Sequence, residues 1–232
     1  MQNLWEDIYT NLIAEQRYMY LVDGLKVTII LTLGAAVIGI VLGTLVALVK
    51  VSAQNSRAWP IRVLDKLASL YLTIIRGTPL VVQLFIFYFV ILAGVRIPAE
   101  VIGIIAFGIN SGAYVAEVVR AGILAVDKGQ MEAGRSLGLT SKQTYISIIM
   151  PQAFKNILPA LVNEQIALLK ETSIVGYVAG IDITKAASII QSQTYQAYVP
   201  YITIALIYLI IVIVLTKLLG MLERRLRKSD IR

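Results

Sequence analysis

Residues 132–138 read EAGRSLG, a polar stretch rich in small residues that lies between two long apolar segments. Two capping-box spacings flank it, Asp to Gln at 127–130 and Thr to Gln at 140–143, and each predicts the start of a short helix. Gly138 falls between them, where a glycine commonly ends a helix in a left-handed turn. A simple connection between two spans does not need two separately capped helices. The stretch therefore predicts a rigid surface on which a soluble partner docks.

The order of residues around this stretch resembles the EAA loop in the permeases of ATP-binding-cassette (ABC) importers. Glu-Ala-Gly is followed by a glycine six positions after the glutamate and then by Ile-Ile-Met-Pro at 148–151. Gly134 stands where Ala is usual in that loop, and Met150-Pro151 stands where Leu-Pro is usual. Because glycine is a weaker helix former than alanine, Gly134 is expected to loosen the first short helix slightly.

Three other stretches resemble the polar amino-acid uptake branch of the same family: RGTPL at 76–80, AYVAEVVRAGI at 113–123 and KETS at 170–173. The resemblance extends from about Gly24 to Leu222. It implies the MetI-like fold of type I importers. That fold is an all-α polytopic membrane bundle, here with five transmembrane helices and additional cytoplasmic coupling helices.

The resemblance also implies the partners of the chain and the residues that meet one of them. The expected partners are an ABC ATPase subunit, a second permease subunit that is identical or closely related, an extracytoplasmic substrate-binding protein and a polar amino acid. The cytoplasmic loop at 127–150 would seat the ATPase through Glu132, Ala133, Gly134, Arg135, Leu137, Gly138 and Leu139.

The composition is that of a membrane protein. Of the 232 residues, 58% are hydrophobic and 15% are charged, whereas soluble domains carry about a quarter charged residues; the mean hydropathy is +0.78. Because cysteine and histidine are absent, the chain has no disulfide, thiol nucleophile or imidazole acid–base group. It also has no Gly-x-x-x-x-Gly-Lys-Ser/Thr phosphate loop. We therefore expect no catalytic residue, metal or cofactor, and we assign ATP hydrolysis to another chain.

Apolar segments of roughly the 20 residues that a helix needs to cross the hydrocarbon lie at 27–49, 62–95, 99–124, 151–170 and 198–220. The second is expected to bend near Thr78-Pro79, because proline lacks the backbone N–H and clashes with the preceding turn. A static bend and a hinge are both open. Residues 1–20 carry apolar side chains at helical spacing and predict a helix in the outer interface. The whole chain, 1–232, is predicted to form one transmembrane domain.

Lysine and arginine are sorted by side of the membrane. Sixteen fall on the side of loop 127–150 and the C-terminus, and five fall on the side of the N-terminus. Because basic residues accumulate on the cytoplasmic side, the N-terminus is predicted outside and the C-terminus inside a bacterial plasma membrane. The net charge of +7 is therefore attributed to contact with membrane lipid and not to nucleic acid.

Ionisable groups inside a span are costly and commonly face a cavity or a partner. Glu164 lies thirteen residues beyond Pro151, which is about 20 Å along a helix and near the middle of the bilayer. It predicts either a buried, hydrogen-bonded carboxyl group or a carboxylate that lines the path and attracts the amino group of the solute. Further polar contacts along the path are assigned to Asn163, Gln83, Tyr88 and Tyr114.

Two other patterns predict packing inside the membrane. Glu117 and Arg120 are three residues apart on a helix, which predicts an ion pair. Gly39 and Gly43 form a Gly-x-x-x-Gly step that allows close helix contact, either within the subunit or between subunits.

Two alternatives to an ABC permease stay open on the residues alone. An ion-gradient-driven secondary transporter of amino acids predicts inverted repeats, of which the sequence shows no convincing sign. A membrane assembly protein without a solute leaves Glu164 unexplained. Which amino acid is carried, and whether the second permease subunit is identical, also stay open.

Overall fold

The computed structural model of the protein describes residues 3–56 and 58–227, and the regular structure in these residues is entirely helical. Residues 1, 2, 57 and 228–232 of the predicted 1–232 domain lie outside the described residues. The helices are α1 (Leu4–Ile8), α2 (Tyr18–Asn55), α3 (Trp59–Gly77), α4 (Leu80–Ile86), α5 (Ala99–Leu124), α6 (Gly129–Ser136), α7 (Ser141–Thr144), α8 (Met150–Glu171), α9 (Ile183–Thr194) and α10 (Tyr198–Arg227). Turns of π-helix extend or join them at Tyr9–Ile13, Phe87–Ile91 and Tyr145–Ile149, and a 3-10 segment at Thr172–Val178 extends α8.

Helices of membrane-crossing length and apolarity in the described chain are Tyr18–Gln54, Ala99–Leu124, Ser141–Val178 and Tyr198–Arg225. The pair Trp59–Gly77 and Leu80–Ile91 meets the same criteria as one bent pair, which makes five spans if the pair is counted as one. The predicted all-α membrane bundle is confirmed.

The predicted helix at 1–20 is interrupted in the structure. The π-helical continuation of α1 ends at Ile13, and α2 begins at Tyr18. Between them, Glu15 and Gln16 both have a left-handed backbone with φ of 54°. Because a residue in that conformation cannot continue a right-handed helix, the N-terminal segment turns before it enters the first span.

The bent pair breaks between α3 and α4. Pro79 has an extended backbone with ψ of 136°, and without an N–H it cannot continue the helix. The side-chain amide nitrogen of Gln83 donates hydrogen bonds to the Thr78 carbonyl at 3.0 Å and to the Thr78 hydroxyl at 2.8 Å. Gln83 is buried, so this predicted path residue holds the first turn of α4 against the break.

The chain packs as two compact units built from segments that are far apart in sequence. The first contains the described residues of Met1–Val37, Thr78–Gly108 and Ile166–Thr216, and the second contains those of Ile38–Gly77, Ile109–Gln165 and Lys217–Arg232. Helices α2, α5, α8 and α10 contribute residues to both. A single long helix therefore has different packing partners along its length.

Large apolar side chains form the centre of the first unit. Leu31, Leu84, Phe107, Leu168 and Val175 are all fully buried and belong to one cluster. They come from α2, α4, α5, α8 and the 3-10 segment. In lipid, where the surroundings are as apolar as the core, van der Waals contact between such side chains is what holds helices together.

Helix α9 begins at a buried cap in the first unit. The Asp182 carboxylate is fully buried and accepts hydrogen bonds from the backbone N–H groups of Thr184 and Lys185, both at 3.0 Å. Burial raises the pKa of the Asp182 carboxyl, and the N–H donors oppose this rise. The N–H of Ile183 donates to the Thr28 hydroxyl of α2 at 3.2 Å. These bonds fix the start of α9 on α2.

In the second unit, α2 and α5 approach so closely that their glycines have no room for a side chain. A Cβ on Gly43 would lie 2.6 Å from the carbonyl oxygen of Gly112, and one on Gly39 would lie 2.8 Å from the hydroxyl oxygen of Ser111. The Gly-x-x-x-Gly step therefore packs inside the subunit, which confirms one of its two interpretations.

Candidate functional site

The 127–150 segment contains two short helices separated by a glycine turn. Helix α6 ends where Gly138 has a φ of +82°. The N–H of Leu139 donates to the Gly134 carbonyl at 3.1 Å, and the N–H of Gly138 donates to the Arg135 carbonyl at 3.0 Å. This pair of bonds is a Schellman motif, which satisfies carbonyls at the helix end. The predicted left-handed turn at Gly138 is confirmed.

Helix α7 starts with the predicted capping box. The N–H of Gln143 donates to the Thr140 hydroxyl at 3.2 Å, and the N–H of Thr140 donates to the Gln143 side-chain oxygen at 2.8 Å. Each bond satisfies an N–H that the helix itself leaves without a partner. This prediction is confirmed.

At 127–130 the predicted start of a short helix is confirmed, since α6 begins at Gly129, but the predicted capping box does not form. Lys128 precedes the first residue of α6 and makes no side-chain cap. The Asp127 carboxylate accepts a hydrogen bond from the Gly129 N–H at 2.6 Å. Aspartate commonly bonds the backbone two residues on, and this contact stabilises the turn into α6 without the Gln130 side chain.

Gly134 is a point of close contact between α6 and α7. A Cβ at this position would lie 2.4 Å from Cγ2 of Thr144, which is fully buried. The expectation that Gly134 only loosens α6 is therefore incomplete. Its missing side chain lets Thr144 pack against the α6 backbone, which ties the two helices into one body.

The predicted docking residues differ in exposure. Glu132, Ala133, Arg135, Leu137 and Gly138 are exposed, and Leu137 is 80% exposed. The other two residues serve the hairpin itself. Gly134 is buried, and the Leu139 carbonyl accepts a hydrogen bond from the Arg135 guanidinium at 2.9 Å. The structure thus places an exposed leucine and exposed charges on a braced pair of helices.

A groove of about 420 Å³ lies beside α6 in the second unit. Its wall includes Val51, Ile123, Met131 and Tyr145, and the carboxylate-bearing Glu132 also lines it. Such a groove can hold an apolar side chain next to a basic group. Sequence reasoning missed its apolar wall, because Val51 and Tyr145 are far apart in the chain and neither stands in a distinctive motif.

The five predicted path residues do not form one cluster within either unit. Tyr114, Asn163 and Glu164 belong to the second unit, and Gln83 and Tyr88 belong to the first. The Tyr114 ring centroid lies 5.6 Å from the Arg76 guanidinium carbon, a cation–π contact. The Tyr88 ring packs edge-on against Phe89 with centroids 4.9 Å apart. Asn163 is exposed and Glu164 is half-buried.

Gln165 is a polar residue that the sequence reasoning missed. Its side-chain nitrogen and oxygen are both buried and have no hydrogen-bond partner among the described residues. A buried amide without partners costs free energy unless another molecule or chain supplies them. The sequence could have indicated it, because Gln165 extends Asn163-Glu164 to three consecutive polar residues within a predicted span.

The predicted ion pair on α5 is confirmed and has an additional member. The Arg120 guanidinium donates to the Glu117 carboxylate through two nitrogens, Nε at 3.1 Å and Nη2. Arg76, at the end of α3, brings Nη1 to 3.9 Å from the same carboxylate. Glu117 therefore links α3 and α5 within the second unit.

Residues 39–228 match the family described as the inner membrane component of binding-protein-dependent transport systems. The chain belongs to this family. The arginine transport system permease protein ArtQ of Bacillus subtilis is 38% identical over 213 residues, which are 91% of this chain and 94% of ArtQ. A Rickettsia bellii protein that carries the name of a glutamine transport system permease, GlnP, is 41% identical over 186 residues, which are 79% of this chain and 82% of its own.

A solved structure, an amino acid ABC transporter with histidines, contains a chain of the same fold. It is 46% identical in sequence with a TM-score of 0.83, over 92% of this chain and 97% of that chain. The predicted resemblance to ABC importer permeases is confirmed. As a member of the inner membrane component family, the chain is a multi-pass membrane protein that serves transport. This membership favours the permease hypothesis over both the secondary transporter and the assembly protein.

Proposed function

We propose that this protein is the permease subunit of an ABC importer and forms the membrane path for a polar amino acid. The observation that carries the proposal is its likeness, over nearly the whole chain, to a chain of a solved amino acid ABC transporter. The names of ArtQ and GlnP support the same class of solute, since one refers to arginine and the other to glutamine.

We place the ATPase contact on the α6–α7 hairpin. This assignment is supported by the Schellman turn, the capping box and the Gly134–Thr144 contact. They make the hairpin rigid enough to transmit a movement of the ATPase to the membrane helices. ATP hydrolysis then belongs to the partner chain, and closure of the ATPase pair would move the hairpin and switch the permease from inward-open to outward-open.

The other proposed partners are a second permease subunit and an extracytoplasmic substrate-binding protein. Membership of a binding-protein-dependent transport family supports the second of these partners. The unpartnered Gln165 amide supports a surface that is completed by another molecule or chain.

Transport by the purified complex in lipid vesicles tests the proposed function. The complex of permease, ATPase and binding protein is expected to accumulate glutamine, arginine or histidine when ATP is supplied on the ATPase side. Uptake should not require an ion gradient. Uptake that follows an imposed ion gradient without ATP would support a secondary transporter, and no uptake of any amino acid would contradict the proposal.

The proposed orientation predicts opposite results from two reporter fusions. A reporter fused after Arg232 is expected to report a cytoplasmic position. A reporter inserted in the 96–98 turn is expected to report an extracytoplasmic position. The reason is the bias of basic residues toward the side of 127–150. The enzyme activities of paired phosphatase and galactosidase fusions measure the side of the membrane at each site. A cytoplasmic reporter signal at 96–98 would contradict the five-span arrangement.

Glu164→Gln is expected to weaken transport while leaving assembly intact. Glutamine has nearly the same shape as glutamate but no charge, so attraction for the solute amino group is reduced. We expect the apparent affinity for the amino acid to fall on the order of tenfold, the effect of losing one charged hydrogen bond. Glu100→Gln, the same change in the first turn of α5, is the matched control.

Initial uptake rates at varied amino acid concentrations separate the two interpretations of Glu164. Unchanged kinetics at normal expression would assign Glu164 to packing. Asn163, Gln83, Tyr88 and Tyr114 stay predictions as path residues.

A further inference from the structure

A small polar pocket lies in the first unit, away from the 127–150 segment. Its volume is about 180 Å³, well below the roughly 300–1,000 Å³ of pockets for drug-sized ligands. It lies among the 3-10 segment after α8, the first turns of α9 and the start of α10. Its polar lining comes from Ser173, Tyr177, Thr184, Lys185, Ser188 and Tyr201. The volume suits a small charged head group.

The Lys185 side chain is positioned by the backbone around it. A Cβ on Gly176 would lie 3.0 Å from the Lys185 Cβ and 3.5 Å from its Cδ, so the lysine stem lies along the bare backbone of the 3-10 segment. Lys185 also belongs to the first turn of α9, whose N–H groups are fixed by the buried Asp182 cap. The stem of the lysine therefore lies against the 3-10 segment, and its side chain lines the pocket.

Three hydrogen-bond donors that line this pocket are available to a ligand. The Lys185 ammonium and the Ser173 and Ser188 hydroxyls are neither ion-paired nor hydrogen-bonded to other residues within 3–56 and 58–227. The Tyr201 hydroxyl already donates to Gln191 at 2.9 Å. Asp182, the carboxylate near Lys185, is fully buried and occupied by backbone N–H groups.

We propose that this pocket binds the carboxylate group of the transported amino acid, an inference that rests on the proposed function. One ammonium matches the single charge of a carboxylate, and two serine hydroxyls can donate to its oxygens. A phosphate group, with more charge and a preference for arginine forks, is less well matched by a single lysine.

Direct binding tests the proposal without the binding protein. The permease–ATPase complex is placed in phosphatidylcholine nanodiscs, and binding is measured for whichever of glutamine, arginine and histidine it takes up best. The carboxamide of the same amino acid serves as competitor, because it keeps the amino group and side chain but lacks the carboxylate. We expect the wild type to prefer the free acid by on the order of tenfold, the effect of one charged hydrogen bond.

Lys185→Gln is expected to remove this preference, Lys185→Arg to keep most of it, and Ser188→Ala to reduce it partly. Lys170→Gln is the matched control, because Lys170 is an exposed lysine of the same unit that does not line the pocket. If Lys185→Gln loses the preference for the acid over the amide and Lys170→Gln keeps it, a general change in fold is not the cause. A general change in fold would weaken the binding of both ligands alike.

Three results would overturn the proposal. One is an unchanged preference in both Lys185→Gln and Ser188→Ala, and another is an equal loss in Lys170→Gln. The third is displacement of the amino acid by inorganic phosphate or by added phosphatidylglycerol, which would assign the pocket to a phosphate group. ATP-driven uptake by the wild type in the same preparation would show that the proposed function stands even when the pocket assignment fails.

Discussion

Gly138→Asp is expected to abolish ATP-driven uptake while the protein still reaches the membrane at its normal level. The φ of +82° at Gly138 is strained for any residue with a side chain, at a cost of about 1–2 kcal/mol. The substitution also adds a negative charge to the surface proposed to meet the ATPase. A Cβ at this position has no atom of the described chain within 4 Å, so the expected cost is backbone strain and charge and not a clash at the Cβ.

Two other substitutions at the same position separate charge from strain. Asn has the shape of Asp and tolerates left-handed backbone equally well, so Gly138→Asn tests the charge. Gly138→Val tests strain, because a β-branched residue is least compatible with positive φ. We expect Asn to retain much of the uptake and Val to lose most of it.

Co-purification of the ATPase with each variant distinguishes failed assembly from lost coupling. Glu132→Ala should reduce uptake in the same way but more mildly, since it removes one charge and leaves the turn intact. Normal transport by both Gly138→Asp and Glu132→Ala would mean that the 127–150 segment only connects two spans.

Gly43→Ala is expected to lower the stability of the fold strongly for a change of one methyl group. The new Cβ would lie 2.6 Å from the Gly112 carbonyl oxygen and 2.7 Å from Val115 side-chain atoms. The carbonyl belongs to the α5 backbone and cannot rotate away, so α2 and α5 must move apart. Overpacking of this kind costs about 1–3 kcal/mol. The midpoint of thermal unfolding in detergent, together with the amount of protein in the membrane, measures it.

Gly220→Ala is the matched control for that change. Gly220 lies inside α10, and a Cβ there meets no atom of the described chain within 4 Å. Because alanine favours a helix over glycine by up to about 1 kcal/mol, this variant should be neutral or slightly more stable. Equal effects of the two substitutions would mean that the α2–α5 contact does not determine stability.

Local features of the site could be predicted from sequence because neighbouring residues in the chain decide them. The Thr140–Gln143 capping box, the turn at Gly138 and the Glu117–Arg120 pair all join residues within one helix or one turn. Where a local prediction failed, a competing local bond won: the Asp127 carboxylate bonds Gly129 and not the N–H three residues on.

The membrane class, the helical fold and the family likewise follow from the sequence alone, because apolar length, basic-residue bias and short motifs are properties of a linear chain. Only the tertiary structure decided three contacts: the packing of Thr144 against Gly134, the close approach of Gly43 to Gly112, and the packing of the Lys185 side chain along Gly176. Each of these depends on how near two separate helices approach. That distance is set by the packing of many side chains at once and is not encoded in the spacing of any one motif.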